Sequence, residues 1–174
     1  MSWSAIIGGR DDDKARAALL VARRLSSRGL SVGGFVQREV LAASGDVAGW
    51  DVERVDGGGR RPLARTSATP ELCDYTFDPA GFAVAAAWAG EPCDVVVVGS
   101  VGKLEADKRG HFPVLERLAR ASGGPHVLAV VRDSCLTQVG LALPDASGWV
   151  TMPCDDAALE HFADEVAAQL QASS

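Results

Sequence analysis

No apolar run in this sequence approaches the roughly 20 residues that a membrane-crossing helix needs. The longest, Phe82 to Ala89, has eight, so membrane insertion is not expected. Met1–Arg10 has neither the basic start nor the apolar stretch of a secretory signal, and a cytoplasmic location is the expectation. Cysteine is sparse and scattered. No two of Cys73, Cys93, Cys135 and Cys154 lie close enough for a CxxC redox or zinc element, and His111, His126 and His161 are equally dispersed. Spacing alone therefore implies packed, reduced thiols. Excess positive charge is absent too: 17 Lys+Arg against 23 Asp+Glu give −6 at pH 7. That balance disfavours nucleic acid and anionic membrane as partners. There is no repeat, low-complexity tract or interdomain linker.

What is present suits one domain over residues 1–174. Hydrophobic residues make up 47% and charged residues 23% of the chain, the balance of a soluble globular protein. Ser4–Gly9 is an apolar run ending in glycines, and a helical pattern with Ala18, Leu19, Ala22 and Leu25 on one face follows it, stopping at Gly29. Leu30–Val40 and Val47–Val55 read as a hairpin turned around Ser44–Asp46. Asp56–Pro62 reads as a turn or loop, and Ala64–Thr76 as irregular chain. Asp78-Pro79 opens a helix running to Gly90. Asp94–Ser100 is a buried strand of the kind found at the centre of parallel sheets. Further elements follow: a helix over His111–Ser122, a strand over His126–Val131, a short helical stretch over Ser134–Leu143, a strand over Trp149–Met152 and a helix over Asp155–Ala172. The alternation predicts a three-layer α/β fold: a mainly parallel sheet with helices on both faces, Val95–Val98 beside Ile6–Ile7, and the hairpin as an antiparallel edge.

In such a sheet ligands bind beyond the carboxyl ends of the strands. Two segments end there, Gly8–Lys14 and Gly99–Glu105. The first matches the phosphate-loop pattern GxxxxGK[ST] at Gly8 and Lys14. Asp13 replaces its second glycine and Ala15 its hydroxyl residue. The same aspartates also suit a plain helix start, capping free N–H groups at the positive end of the helix dipole.

Gly33-Gly34-Phe35-Val36-Gln37-Arg38-Glu39-Val40, then Gly45, Gly49-Trp50-Asp51-Val52 and Leu63-Ala64-Arg65, follow the glycine loop in an order that resembles the small P-loop nucleoside-triphosphatase family first known from thermophiles. That family carries a GF-x-T-x-E-V hairpin after its P-loop helix. Gly99–Glu105 lies where it carries Asp-Glu-Ile-Gly-x-Met-Glu. Cys73–Pro79 and Val101–Gly110 resemble elements of an uncharacterised branch often found beside molybdate-uptake or molybdoenzyme genes. The resemblance covers roughly Ile6 to Arg132. It implies a P-loop-type fold and places Gly8, Gly9, Lys14, Glu39, Gly102, Lys103 and Glu105 around a ligand, with Cys73 as a thiolate that would suit a soft metal. Lys103 and Glu105 also read as a surface ion pair, Glu39 as a solvated hairpin residue, and Cys73 as a packed thiol before a helix cap.

Ala15 lacks the hydroxyl, and Gly99-Ser100 the acidic pair, that hold Mg²⁺ and orient water in an active member. A carboxylate ~5 Å from a phosphate charge repels it by roughly 3 kcal/mol at an effective dielectric of ~20. The expectation is a non-hydrolysing accessory or binding protein linked to molybdenum or related metal metabolism. It needs no cofactor, and its partner is a small anion, a nucleotide or another protein. The alternatives are a weak binder or slow hydrolase of ATP or GTP with Mg²⁺, and a thiol-dependent metal-handling protein.

Overall fold

The computed structural model describes residues 2–10, 12–140 and 143–172. Asp11 of the glycine loop, and residues 141–142 of the expected stretch Ser134–Leu143, lie outside the described residues. Eight strands form one sheet: β1 (Trp3–Gly8), β2 (Val32–Leu41), β3 (Val47–Arg54), β4 (Arg60–Thr66), β5 (Tyr75–Phe77), β6 (Val95–Val101), β7 (His126–Arg132) and β8 (Gly148–Thr151). Their order is β5-β4-β3-β2-β6-β7-β1-β8. The helices are α1 (Lys14–Ser27), α2 (Pro79–Trp88), α3 (Lys103–Ala106), α4 (Phe112–Arg120), α5 (Leu136–Gly140) and α6 (Asp156–Ala172), with a 3-10 turn over Asp133–Cys135.

The five strands from β2 to β8 pair in parallel, and β2-β3, β3-β4 and β4-β5 are antiparallel. The fold is α/β with a mostly parallel sheet. One face packs Ile6, Val36, Val97 and Val130 against α1 and α6, through Val21, Leu25, Phe162 and Val166. The other packs Phe35, Val52, Val96 and Ala129 against Ala85, Leu115 and Val139 of α2, α4 and α5. The runs Val95–Val98 and Val127–Val131 are buried throughout because both faces of a parallel sheet are covered. No helix among the described residues is long and apolar enough to cross a membrane.

Three expectations need correction. Val95–Val98 does not lie beside Ile6–Ile7, because β7 runs between β6 and β1. The β2-β3 hairpin is not the edge: β4 and β5 extend the sheet beyond it. Strands β4 (Arg60–Thr66) and β5 (Tyr75–Phe77) take part of the loop expected over Asp56–Pro62 and of the irregular chain expected over Ala64–Thr76, while residues 56–59 and 67–74 lie outside both strands, as expected. Arg60, Arg61 and Pro62 hid β4. The arginines are exposed, Arg60 reaching Asp51 at 2.8 Å, and Pro62 sits where the β3-β4 register shifts, a place that tolerates a missing N–H. Directly after β6, α3 forms one turn over Lys103–Ala106.

Gly34 is where β2 meets the central sheet. Its φ is +94°, and a Cβ there would lie 2.1 Å from the Val97 carbonyl oxygen. The glycine of the hairpin motif is therefore a close-packing requirement of the β2-β6 pairing.

Candidate functional site

β1, β6, β7 and the β2–β5 wing open onto one cleft of about 660 Å³ at the carboxyl ends of the parallel strands. Its apolar wall is Trp50, Leu63, Leu72 and Tyr75; Arg10, Lys103 and Arg132 line it with positive charge beside the carboxylates Asp12, Asp13, Asp74 and Glu105, and the buried Lys14 borders it. Glu39 and Cys73 also line it. The structure thus gathers Lys14, Glu39, Cys73, Gly102, Lys103 and Glu105 around a single cavity.

The glycine loop is closed on itself. The Gly9 N–H donates to Asp12 Oδ2 at 2.6 Å, and Lys14, itself buried, donates from Nζ to the Gly9 carbonyl. A Cβ on Gly8 would lie 2.9 Å from both Asp12 Oδ2 and Met152 Cβ, so only glycine admits the carboxylate this close. Asp13 caps α1 by accepting from the Arg16 N–H at 2.9 Å, as a helix start requires. A phosphate loop turns its N–H groups and lysine outward to an anion. Here one N–H and the lysine are turned onto the chain's own Asp12 and Gly9.

Glu105 has a different setting from the one implied by resemblance. It is buried. Its Oε2 accepts from the Gly102 N–H at 2.8 Å and its Oε1 from the His111 N–H at 2.7 Å. Burial pushes its carboxyl up from the usual range while those backbone donors pull it down. The carboxylate latches the turn that carries Lys103. Glu105→Gln should therefore destabilise the fold by about 1–3 kcal/mol, because the amide NH2 must face one of two buried N–H donors. Urea unfolding measures this, and an unchanged midpoint would show the latch to be dispensable.

Cys73 is exposed, with φ +48°, and its Sγ accepts from Lys103 Nζ at 3.5 Å. A cation beside the sulfur opposes a second cation such as a metal. Among the described residues, no group of three or more His, Cys, Asp or Glu is placed to hold a metal. The residues also do not fit Mg²⁺ where the resemblance assigns it. Ala15 offers a methyl group, Gly99 nothing and Ser100 a neutral hydroxyl, while Asp12, Asp13 and Glu105 are committed to backbone N–H groups.

Sequence reasoning missed Arg10 and Arg132. Arg10 occupies a position of the Gly8–Lys14 loop at which the phosphate-loop pattern specifies no residue, and Arg132 belongs to no motif. A signal for Arg132 existed, however: it is the first charged residue after the apolar run Val127–Val131, at the end of a strand where ligands bind. It pairs with Gly8 across the β1-β7 ladder, one residue from the loop.

A family model described as "Protein of unknown function (DUF2478)" matches residues 4–162. No curated protein matches the chain. Among solved structures, the chain is similar to the solution structure of a human cancer-related nucleoside triphosphatase. The two are 19% identical with a TM-score of 0.74, and 100% of each chain is covered. It is also similar to the crystal structure of THEP1 from the hyperthermophile Aquifex aeolicus, at 14% identity and a TM-score of 0.65, with 97% of this chain and 99% of that one covered. At these identities the likeness is one of fold.

Proposed function

The chain belongs to the family described as "Protein of unknown function (DUF2478)", and from that premise we propose that it is a cytoplasmic accessory protein that binds a small anion in its cleft without hydrolysing nucleoside triphosphates. The observation that carries this reading is the closed loop, in which the Gly9 N–H holds Asp12 and Lys14 holds the Gly9 carbonyl. The hydrolase fold is kept while the groups that would grip a triphosphate are spent internally. Of the charged groups that line the cleft, Asp12, Asp13 and Glu105 are held by backbone N–H groups and Arg38 and Arg60 by carboxylates, which leaves Arg10, Lys103 and Arg132 alongside Glu39 and Asp74; an anion is the ligand that complements the basic side. The resemblance to a branch found beside molybdate-uptake genes makes molybdate, a compact tetrahedral dianion, the first oxyanion to test.

Turnover of Mg²⁺-ATP and Mg²⁺-GTP by the purified protein should stay at background and be unchanged by Lys14→Ala. Calorimetry should show binding of molybdate or inorganic phosphate at least as tight as that of ADP. Turnover above background that vanishes in Lys14→Ala would restore the hydrolase reading.

A further inference from the structure

Most arginines of this protein have carboxylate partners. Arg16, Arg24, Arg28, Arg38, Arg54, Arg60, Arg65 and Arg120 all lie in ion pairs. Arg23, Arg61 and Arg117 donate to carbonyls. Among the described residues, the side chains of Arg10, Arg109 and Arg132 make no hydrogen bond or ion pair of either kind, and of these three Arg10 and Arg132 line the cleft beside the closed loop, whereas Arg109 lies outside it. Arg132 is also half-buried. A guanidinium partly removed from water without a counter-charge is unfavourable to hold, and a bound anion relieves it.

We propose that Arg10 and Arg132 form the anion-binding pair of the cleft, seating a compact tetrahedral oxyanion, free or as the head of a phosphate ester, outside the loop that Asp12 already occupies. This rests on the anion-binding reading above and names the residues and ligand class for it. The geometry follows from the sheet. Arg132 ends β7 and Arg10 follows β1, its parallel neighbour, so the two leave adjacent strands at the same edge. Asp12 holds the Gly9 N–H that a phosphate would otherwise take. The ligand's charge therefore falls to the guanidinium forks, which match the oxygens of a tetrahedral anion two at a time. Lys103, on the β6 side of the same cleft, adds charge without that directional match.

The test is calorimetric titration of the full-length protein with inorganic phosphate and, separately, with ADP. Arg10→Gln, Arg132→Gln, Arg132→Lys and Lys14→Ala are compared with the wild type, Arg120→Gln serves as a control distant from the cleft, and thermal unfolding verifies each variant's fold. Phosphate affinity should fall at least tenfold in Arg10→Gln and in Arg132→Gln, stay reduced in Arg132→Lys because the fork is lost while the charge remains, and be unchanged in Arg120→Gln. ADP titrations showing the same losses would assign the site to phosphate esters as well as to the free ion. Wild-type phosphate binding that survives both glutamine variants, or that only Lys14→Ala removes, overturns the arginine pair while leaving anion binding intact. A wild type that binds neither ligand overturns both.

Discussion

Gly34→Ala should cost this protein roughly 4 kcal/mol, combining backbone strain at positive φ with a forced displacement of the neighbouring strand. The methyl would meet the Val97 carbonyl oxygen at 2.1 Å and the Val97 nitrogen at 2.8 Å. Neither atom can yield without breaking the parallel ladder that joins β2 to β6. Gly57→Ala is the internal comparison, since Gly57 has φ +76° with nothing within 4 Å of a Cβ. It carries strain alone and should cost about 1–2 kcal/mol. Urea midpoints of the two variants separate strain from contact; equal losses would mean that β2 gives way freely at Gly34. Because β2 carries Gln37 and Glu39 to the cleft, the damaged variant should also lose ligand affinity.

Acid should weaken the fold well above the range in which carboxylates titrate. His111 is buried between Phe35 and Phe82, with ring centroids 4.5 and 4.9 Å away. Desolvation pushes its pKa from 6.5 down to about 3. His126, buried between the hydroxyls of Ser2 and Ser4, is pushed down to about 4 for the same reason. The unfolded chain protonates both near 6.5 while the folded one does not, so stability present above that pH drains away as pH falls toward those lowered values. Each histidine removes about 1.4 kcal/mol per pH unit, or about 4 kcal/mol for the pair by pH 5. Glu105 works in the opposite sense, because its raised pKa lets the folded state take a proton first as the pH falls. Asp56, held down to about 2 by the Arg54 guanidinium, adds to acid destabilisation only in the carboxylate range. Urea unfolding between pH 7.5 and pH 5 measures the slope, and His111→Leu should make it shallower whatever its effect on stability at pH 7.5. A flat profile in the wild type would show that the histidines are hydrated.

The parallel half of the fold was legible because its strands are buried on both faces: Val95–Val98 and His126–Val131 carry no competing pattern. The antiparallel wing was legible only as far as Val55. β4 opens with two exposed arginines and a proline, a composition shared with loops, and its assignment depends on Trp50 and Asp51, which pair with Ala64 and Pro62 across the ladder. Neighbour order was hidden for a related reason. Nothing in the run Ile6–Ile7 says whether β6 or β7 lies beside it, since both offer the same apolar faces. At the site, motif spacing located Lys14 and Glu105 but not where their charges point. Lys14 turns to Gly9 and Glu105 to the backbone of Gly102 and His111, outcomes set by tertiary packing. That the Arg10 and Arg132 side chains lack a partner is visible only in the folded molecule, although the place of Arg132 at the end of its strand is legible in the sequence.

The first strand of this protein is held between the last two. β1 lies between β7 and β8, and α6 clasps α1 through Arg24 and Arg28 to Asp164. During synthesis β1 leaves the ribosome before both of its neighbours and finds neither until His126 and then Gly148 have been added. The valine strand β6, made between those times, has only β2 to pair with. The growing chain therefore carries unpaired apolar strand edges for most of its translation, the condition under which nascent chains aggregate or engage chaperones. β1 is paired on both edges only once the following segment supplies β8 and α6, the helix packed against it.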